Sequence, residues 1–420
     1  MFMLPEIRDT IILQKREIKS RLEEKYIERT SNMNLDNNLV KVIIGPRRAG
    51  KSFYAIHVLH KINNFGYINF DDEQLTEVKD YNELISAVNS VYDKPKYLLL
   101  DEIQNLPKWE LFVNRLQRQG SHLIITGSNS NLLSKELTTH LTGRYSLISI
   151  FPFSFKEYLE LFDKELTTLE IKEKLSQYVI NGGFPETLVK NIDLKDYLST
   201  LFNSVVYKDI IKRYNIRNIK EIEELSYFLI SNIAHEYSFH SLTKVSKIKS
   251  SYTIRKYLHY LEESFIFFSL SRFSYKVKEQ ISSNKKIYCI DNGFISVKAF
   301  NFSPNKGKLY ENVVACKLKQ DEIKGKINLY YWKNPQHEEV DFVIKRGTRV
   351  DQLIQVCYEL ENSDVLKREI RALIKASKEL KCKNLLIITQ NKEEKEKLEW
   401  FKDKAIIQFI PLWKWLINHE

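Results

Sequence analysis

Residues 42–52 read Val-Ile-Ile-Gly-Pro-Arg-Arg-Ala-Gly-Lys-Ser, and an apolar run continues beyond them (Phe53, Ile56, Val58, Leu59). A strand, a glycine-bearing loop and a helix in that order tie the chain to a phosphate-binding α/β core. Gly45 and Gly50 let the backbone curl so that successive amides face a polyphosphate. Pro46, Arg47, Arg48 and Ala49 complete the loop. Lys51 would set a cation near the β and γ phosphates of ATP, and Ser52 would offer a hydroxyl to Mg²⁺. The alternative, a glycine turn that binds nothing, fits the spacing and context poorly. Arg47 and Arg48 have three readings: they brace the loop, meet phosphate, or face solvent.

Tyr97–Glu102 is Tyr-Leu-Leu-Leu-Asp-Glu, about fifty residues after the loop. Its apolar run reads as a buried parallel strand. Asp101 at its end suits Mg²⁺, directly or through water, and Glu102 is placed to polarise the attacking water. Residues 123–126 form another apolar run, followed by Gly127-Ser128-Asn129-Ser130. Ser128 or Asn129 is the candidate γ-phosphate sensor; the alternative is a polar turn. Arg144, in Leu-Thr-Gly-Arg-Tyr before the run 147–150, is a candidate arginine finger for a neighbouring subunit, or a surface arginine. Asp71, Asp72 and Glu73 after Gly66–Phe70 read as strand caps rather than groups facing metal-bound water. Apolar runs at 42–44, 66–70, 97–100, 123–126 and 147–150 alternate with helical stretches. That pattern predicts a parallel sheet with helices on both faces.

With 420 residues, 43% hydrophobic and 28% charged, the chain has room for two or three cored domains. Its net charge of +11 permits an acidic partner such as nucleic acid without demanding one. Cys289, Cys316, Cys357 and Cys382 lack paired metal spacing and read as reduced thiols of a cytoplasmic protein. No run approaches the roughly 20 apolar residues of a spanning helix. Ile18, Leu22 and Tyr26 read as one face of an N-terminal helix.

The segments Gly-Pro-Arg-Arg-Ala-Gly-Lys-Ser, Tyr-Leu-Leu-Leu-Asp-Glu-Ile-Gln, Ile-Thr-Gly-Ser-Asn-Ser and Leu-Thr-Gly-Arg-Tyr together resemble the prokaryotic AAA-like ATPases of the archaeal ATPase type. Further matches are Asn-Gly-Gly-Phe-Pro-Glu at 181–186, Val-Val-Tyr-Lys-Asp-Ile at 205–210, Lys-Ile-Tyr-Cys-Ile-Asp-Asn-Gly-Phe at 286–294, Gly-Lys-Leu-Tyr-Glu-Asn-Val-Val at 307–314 and Glu-Glu-Val-Asp-Phe-Val-Ile at 338–344. The resemblance covers nearly the whole chain. It implies an ATPase core followed by a winged helix and a restriction-endonuclease-like domain. It carries the family's loop lysine and serine onto Lys51 and Ser52, its two acids onto Asp101 and Glu102, and its post-sheet arginine onto Arg144.

The expected division is 1–152, ATP-binding core; 153–218, helical lid, with residues 188–210 as one helix; 219–300, winged helix; and 301–420, endonuclease-like α/β domain. Helices at 222–234, 242–248 and 251–264, then strands at 265–270 and 287–290, make the winged-helix pattern. Lys244, Lys247, Lys249, Arg255 and Lys256 would make its exposed side basic, for DNA contact or for packing on another domain. In the last segment, helix–β–β–β–α–β looks like the endonuclease core. Glu311 and Asp341 match its first two acids. Gln355 and Cys357 stand at the carboxylate and lysine positions, where neither supplies the required charge. Glu359 lies on the same strand face as a substitute ligand. The expectation is a degenerate site that binds rather than cuts.

Three functions follow. The first is Mg²⁺-dependent ATP hydrolysis driving a switch on DNA or a protein partner, in a monomer or a homo-oligomer. The others are an ATP-regulated nuclease and a nucleotide-binding interaction protein with little turnover.

Overall fold

The computed structural model describes residues 4–128, 141, 143–162, 165–190, 192–300, 305–358, 360, 363–401 and 403–419. They divide into two compact units, Met1–Pro152 and Phe153–Glu420.

The first unit is built on five strands: β1 (Val40–Ile44), β2 (Phe65–Asn69), β3 (Tyr97–Asp101), β4 (His122–Gly127) and β5 (Tyr145–Ser149). All neighbours pair in parallel, in the order β2-β3-β4-β1-β5. β1 and β3 are buried along their whole length, as near-continuous apolar runs covered on both faces must be. Ile43, Ala55, Ile56, Leu59, Leu99, Ile124 and Ile148 pack one core between the sheet and the Lys51–His60 helix. The N-terminal helix, Leu4–Glu23, brings Gln14 against the edge strand β2. Its amide donates to the Asn69 carbonyl (3.1 Å) and accepts from the Asn69 N–H (3.0 Å). A side-chain amide thus occupies an edge that would otherwise present unpaired backbone. The helix ends before Tyr26, which instead stacks on His57 with centroids 4.0 Å apart.

The second unit holds a nine-stranded sheet of β6 (Glu236–Tyr237), β7 (Phe267–Arg272), β8 (Lys285–Cys289), β9 (Asn328–Lys333), β10 (Glu339–Arg346), β11 (Arg349–Cys357), β12 (Leu385–Thr389), β13 (Glu394–Trp400) and β14 (Asp403–Pro411). Their order is β13-β14-β12-β11-β10-β9-β7-β8-β6. The expected boundary at 300/301 therefore falls inside one sheet: β7 of the middle segment pairs in parallel with β9 of the last, Ser271 opposite Tyr330. The helices Ile219–Ser231, Phe239–Val245 and Ser251–Glu263 precede β7 and β8. A Lys306–Ile323 helix, β9, β10, β11, a Ser363–Leu380 helix and β12 follow. The single helix expected over 188–210 is broken. Pro185–Val189 ends, Asp193 caps a new helix by accepting from the Asp196 N–H (2.8 Å), and Val205–Lys212 continues with π spacing.

Three segments singled out in the sequence are interlocked here. The Asp291 carboxylate accepts from the N–H groups of Gly183 (2.7 Å) and Gly293 (2.8 Å). Asn292 donates to the carbonyls of Val179 (2.7 Å) and Leu309 (3.0 Å), while Asn312 bonds both backbone groups of Cys289. A Cβ at Gly182 would stand 1.8 Å from Asp291 Oδ1, which excludes any other residue there. These motifs hold the unit together.

Burial pushes the Asp291 carboxyl up to about 7, against those two N–H bonds. The fold therefore holds the Asp291 proton more tightly than the unfolded chain, whose carboxyl titrates near 4. This contribution is full below about pH 4 and is lost as pH rises through 7, a change of about 4 kcal/mol. Urea midpoints are expected to fall between pH 5 and pH 8, and Asp291→Asn is expected to flatten that slope. An unchanged slope in Asp291→Asn would assign the loss to another group.

Candidate active site

The loop after β1 closes on β5. Ile150 donates to the Ile44 carbonyl (2.8 Å). Gly45 has φ +150° with no room for a side chain, its Cβ position lying 1.8 Å from the Ile150 oxygen. Gly50 (φ +91°) then turns the chain into the Lys51–His60 helix. Arg29, which the sequence reading missed, donates to the carbonyls of Ala49 (3.0 Å) and Phe151 (2.5 Å). It clamps the loop from outside. Arg47 reaches Asp71 at 3.9 Å, and Arg48 is exposed. Of the three acids after β2, Asp72 caps a helix by accepting from Gln74 N, and Asp71 also accepts from Asn105 (2.7 Å). Pro46 and Ala49 are buried in the loop, which is tightened by the Ala49 N–H donating to the Pro46 carbonyl (3.2 Å).

The strand order places β4 between β1 and β3, so three strand ends meet where the helix begins. Ser52 Oγ donates to Asp101 Oδ1 at 2.7 Å. Thr126 Oγ1, at the end of β4, donates to the same oxygen, and the Tyr67 hydroxyl of β2 donates to the other (2.9 Å). Asp101 is buried (3% exposed). Burial and the adjacent Glu102 charge raise its carboxyl, and these three hydroxyls oppose the rise. Tyr67 and Thr126 escaped the sequence reading. Their signal was a hydroxyl-bearing residue in each of two otherwise apolar strands.

Glu102 has left-handed backbone (φ 49°), and its carboxylate has partners different from those of Asp101. It accepts from Ser128 Oγ (3.2 Å) and from the Gln104 amide, and it lies 4.0 Å from Lys51 Nζ. Burial works to raise the Glu102 carboxyl, but the Lys51 ammonium, the Gln104 amide and Arg47 hold it below the ordinary range. It is therefore ionised at neutral pH. Lys51 is buried and donates to the carbonyls of Gly45 (3.1 Å) and Pro46 (3.0 Å).

Lys51, Ser52, Asp101, Glu102 and Ser128 are thus brought together. Asn129 lies outside the described residues. Arg144 is not brought to them. It precedes β5 at the end of the sheet away from the loop, where its carbonyl accepts from Val40 N and its side chain reaches Gln117 at 3.5 Å. The five residues of β1 separate the two ends by about 15 Å.

In the second unit, Glu311 and Asp341 do converge, but on an ammonium. Lys286 Nζ of β8 lies 2.8 Å from Glu311 Oε1, 3.1 Å from Asp341 Oδ1 and 2.5 Å from Glu339 Oε1. Burial opposes the charge on Lys286, and the carboxylates, Glu311 first, hold its titration well above the ordinary lysine range. Gln355 accepts from Asp341 N (3.1 Å) and donates to Glu369 (2.5 Å). Cys357 is buried and lines one cavity with Glu311, Asp341 and Gln355. Glu359 lies outside the described residues. Lys286 had a legible signal, a lysine inside the strand Lys-Lys-Ile-Tyr-Cys. Lys244, Lys247, Lys249, Arg255 and Lys256 are all exposed, and Arg255 lies over the Phe239 ring at 4.4 Å. Among the described residues no helix is long and apolar enough to cross a membrane.

Residues 37–159 match the family model of an AAA domain. Residues 172–305 and 306–415 match two domains of unknown function, DUF8612 and DUF4143. An uncharacterized protein of Methanocaldococcus jannaschii, MJ1544, is 37% identical over 98% of this chain and 95% of its own length. An uncharacterized protein of Haemophilus influenzae is 30% identical over 80% of this chain and 86% of its own. Among solved structures, the Walker-type ATPase PABY2304 of Pyrococcus abyssi superposes with a TM-score of 0.41 at 14% identity, over 71% of this chain and 95% of that one. A superposition this loose assigns no function.

Proposed function

We propose that this chain, which belongs to the family of the uncharacterized Methanocaldococcus jannaschii protein MJ1544, is an ATPase whose AAA-type first unit hydrolyses ATP to drive a change in the second. The observation that carries the reading is the division of labour between adjacent carboxylates. Asp101 is held by Ser52, Thr126 and Tyr67, whereas Glu102 is held by Ser128 and lies beside Lys51. A site that only gripped nucleotide would not need the second carboxylate ionised and separately oriented.

ATP would lie with its β and γ phosphates on the backbone N–H groups of residues 47–52, exchanging the Lys51 bonds to loop carbonyls for bonds to phosphate oxygens. Ser52 Oγ and Asp101 Oδ1, 2.7 Å apart, are an oxygen pair suited to Mg²⁺ and its bound water. Mg²⁺ held there by Ser52 and Asp101 would supply positive charge to offset the negative charge developing on the phosphate. Glu102 takes the proton of the attacking water, and Ser128 keeps that carboxylate aimed. Arg144 enters only as a group offered to a neighbouring copy, since about 15 Å of strand separates it from its own loop.

In the second unit we read the helices and strands over 219–300 as a winged helix. Its exposed cations Lys244, Lys247, Lys249, Arg255 and Lys256 would meet nucleic-acid phosphates without reading base sequence. The element order over 306–389 supports an endonuclease-like core. Its acids already hold the Lys286 ammonium, which favours binding over cleavage.

Phosphate release from ATP, measured with and without single-stranded, duplex and branched DNA, tests the reading. Lys51→Ala is expected to abolish turnover, and a DNA-stimulated rate in the native chain is expected to fall as salt rises. Equal turnover in Lys51→Ala would remove the site. ATP binding without phosphate release under every condition would instead favour an interaction protein.

A further inference from the structure

Lys286 is 1% exposed, and its surroundings are unusual for a buried lysine. Three carboxylates face its three donors: Glu311, Glu339 and Asp341, at 2.8, 2.5 and 3.1 Å. Tyr288, two residues on and so on the same strand face, donates to Glu311 Oε1 (2.8 Å). The other Glu311 oxygen takes Lys308 (3.0 Å), and the other Asp341 oxygen takes the Val356 N–H (3.0 Å). A cavity of about 1140 Å³ reaches the same carboxylates, with Gln355, Arg368 and Glu369 on its wall.

Glu311 and Asp341 are buried and Glu339 is half-buried beside them; such a cluster without a cation is strongly unfavourable, and so is a buried ammonium without anions. Each side therefore requires the other. A lysine that activates water stands beside a metal ion, with a donor left for the water. Here the ammonium stands at the point on which the carboxylates converge, and its three protons match three acceptors. The N–O distances also fit an ammonium rather than Mg²⁺, whose oxygens stand at about 2.0–2.1 Å. Among the described residues no group of three or more acidic, His or Cys side chains is arranged for a metal. The divalent ion expected of an endonuclease-like core therefore does not fit this cluster as it stands.

We propose that Lys286 is a resident cation: its ammonium takes the place of a divalent metal ion among Glu311, Glu339 and Asp341. The cluster accordingly binds no metal in the native chain and becomes a divalent-cation site when the lysine charge is removed. The proposal does not depend on ATP hydrolysis in the first unit.

The test is Mn²⁺ uptake by the full, nucleotide-free chain, read from the spin-resonance signal of free Mn²⁺. Native protein and Asp341→Asn are expected to take up the same amount. Lys286→Met is expected to gain one further equivalent, bound at least about tenfold more tightly than any native uptake. Thermal unfolding of Lys286→Met is expected to rise by about 5 °C with saturating Mn²⁺. The double variant Lys286→Met/Asp341→Asn is expected to lose both responses. If Lys286→Met is insoluble, recovery of soluble protein with Mn²⁺ but not with EDTA supports the proposal, and failure in both overturns it. The proposal is also overturned if Asp341→Asn removes an equivalent of Mn²⁺ from the native chain, or if folded Lys286→Met gains none.

Discussion

Glu102→Gln is expected to slow phosphate release from ATP by roughly 10²–10⁴-fold, the usual range for losing a general base, while ATP binding persists. Glutamine keeps an oxygen for Ser128 and fills the same volume, so the loop and β4 stay in place. What it loses is the negative charge that Lys51, Gln104 and Arg47 stabilise, the charge that the proposed reaction uses to accept a proton from water. Single-turnover phosphate release, paired with the affinity of a fluorescent ATP analogue, separates the two effects. A fall of less than tenfold in rate would place the base elsewhere. Weakened binding with an unchanged bound-state rate would give Glu102 a role in holding Lys51 alone.

The second large effect is on stability. Gly45→Ala places a Cβ 1.8 Å from the Ile150 oxygen. Relief requires β5 to move from the end of β1, breaking the Ile150 to Ile44 bond of 2.8 Å. Strained backbone and a lost buried bond together give an expected cost of about 3 kcal/mol. Gly120→Ala supplies the control. Its φ is also positive (+87°), but nothing lies within 4 Å of its Cβ position, so only the backbone contribution remains. Urea unfolding of both variants is expected to show Gly45→Ala as the less stable by a clear margin. Equal losses would mean that β5 yields freely and that the close approach does not hold the loop.

The contrast between the units shows what a single sequence carries. In the first, every chemical group sits within a few residues of a strand end, and the strands are short apolar runs. Lys51, Ser52, Asp101 and Glu102 were legible because parallel strands, buried on both faces, announce themselves by composition. In the second unit the strand β13, Glu-Lys-Glu-Lys-Leu-Glu-Trp, was not expected. It is an outer strand with its charges in solvent, and such strands lack the apolar signal.

The sequence alone was enough to place the Gly45–Ser52 loop and the Asp101–Glu102 pair in one parallel α/β core. Local spacing suffices for that, since the loop and the strand ends are continuous segments. Tertiary structure alone decided which hydroxyls hold Asp101, since Tyr67 and Thr126 arrive on separate strands. It also put Arg144 at the far end of the sheet from the loop and joined the middle and last segments through β7 and β9. Above all, it set Lys286 among Glu311, Glu339 and Asp341, residues 25 to 55 positions away. Such charges reveal themselves as partners only when burial makes an unpaired one too unfavourable to keep.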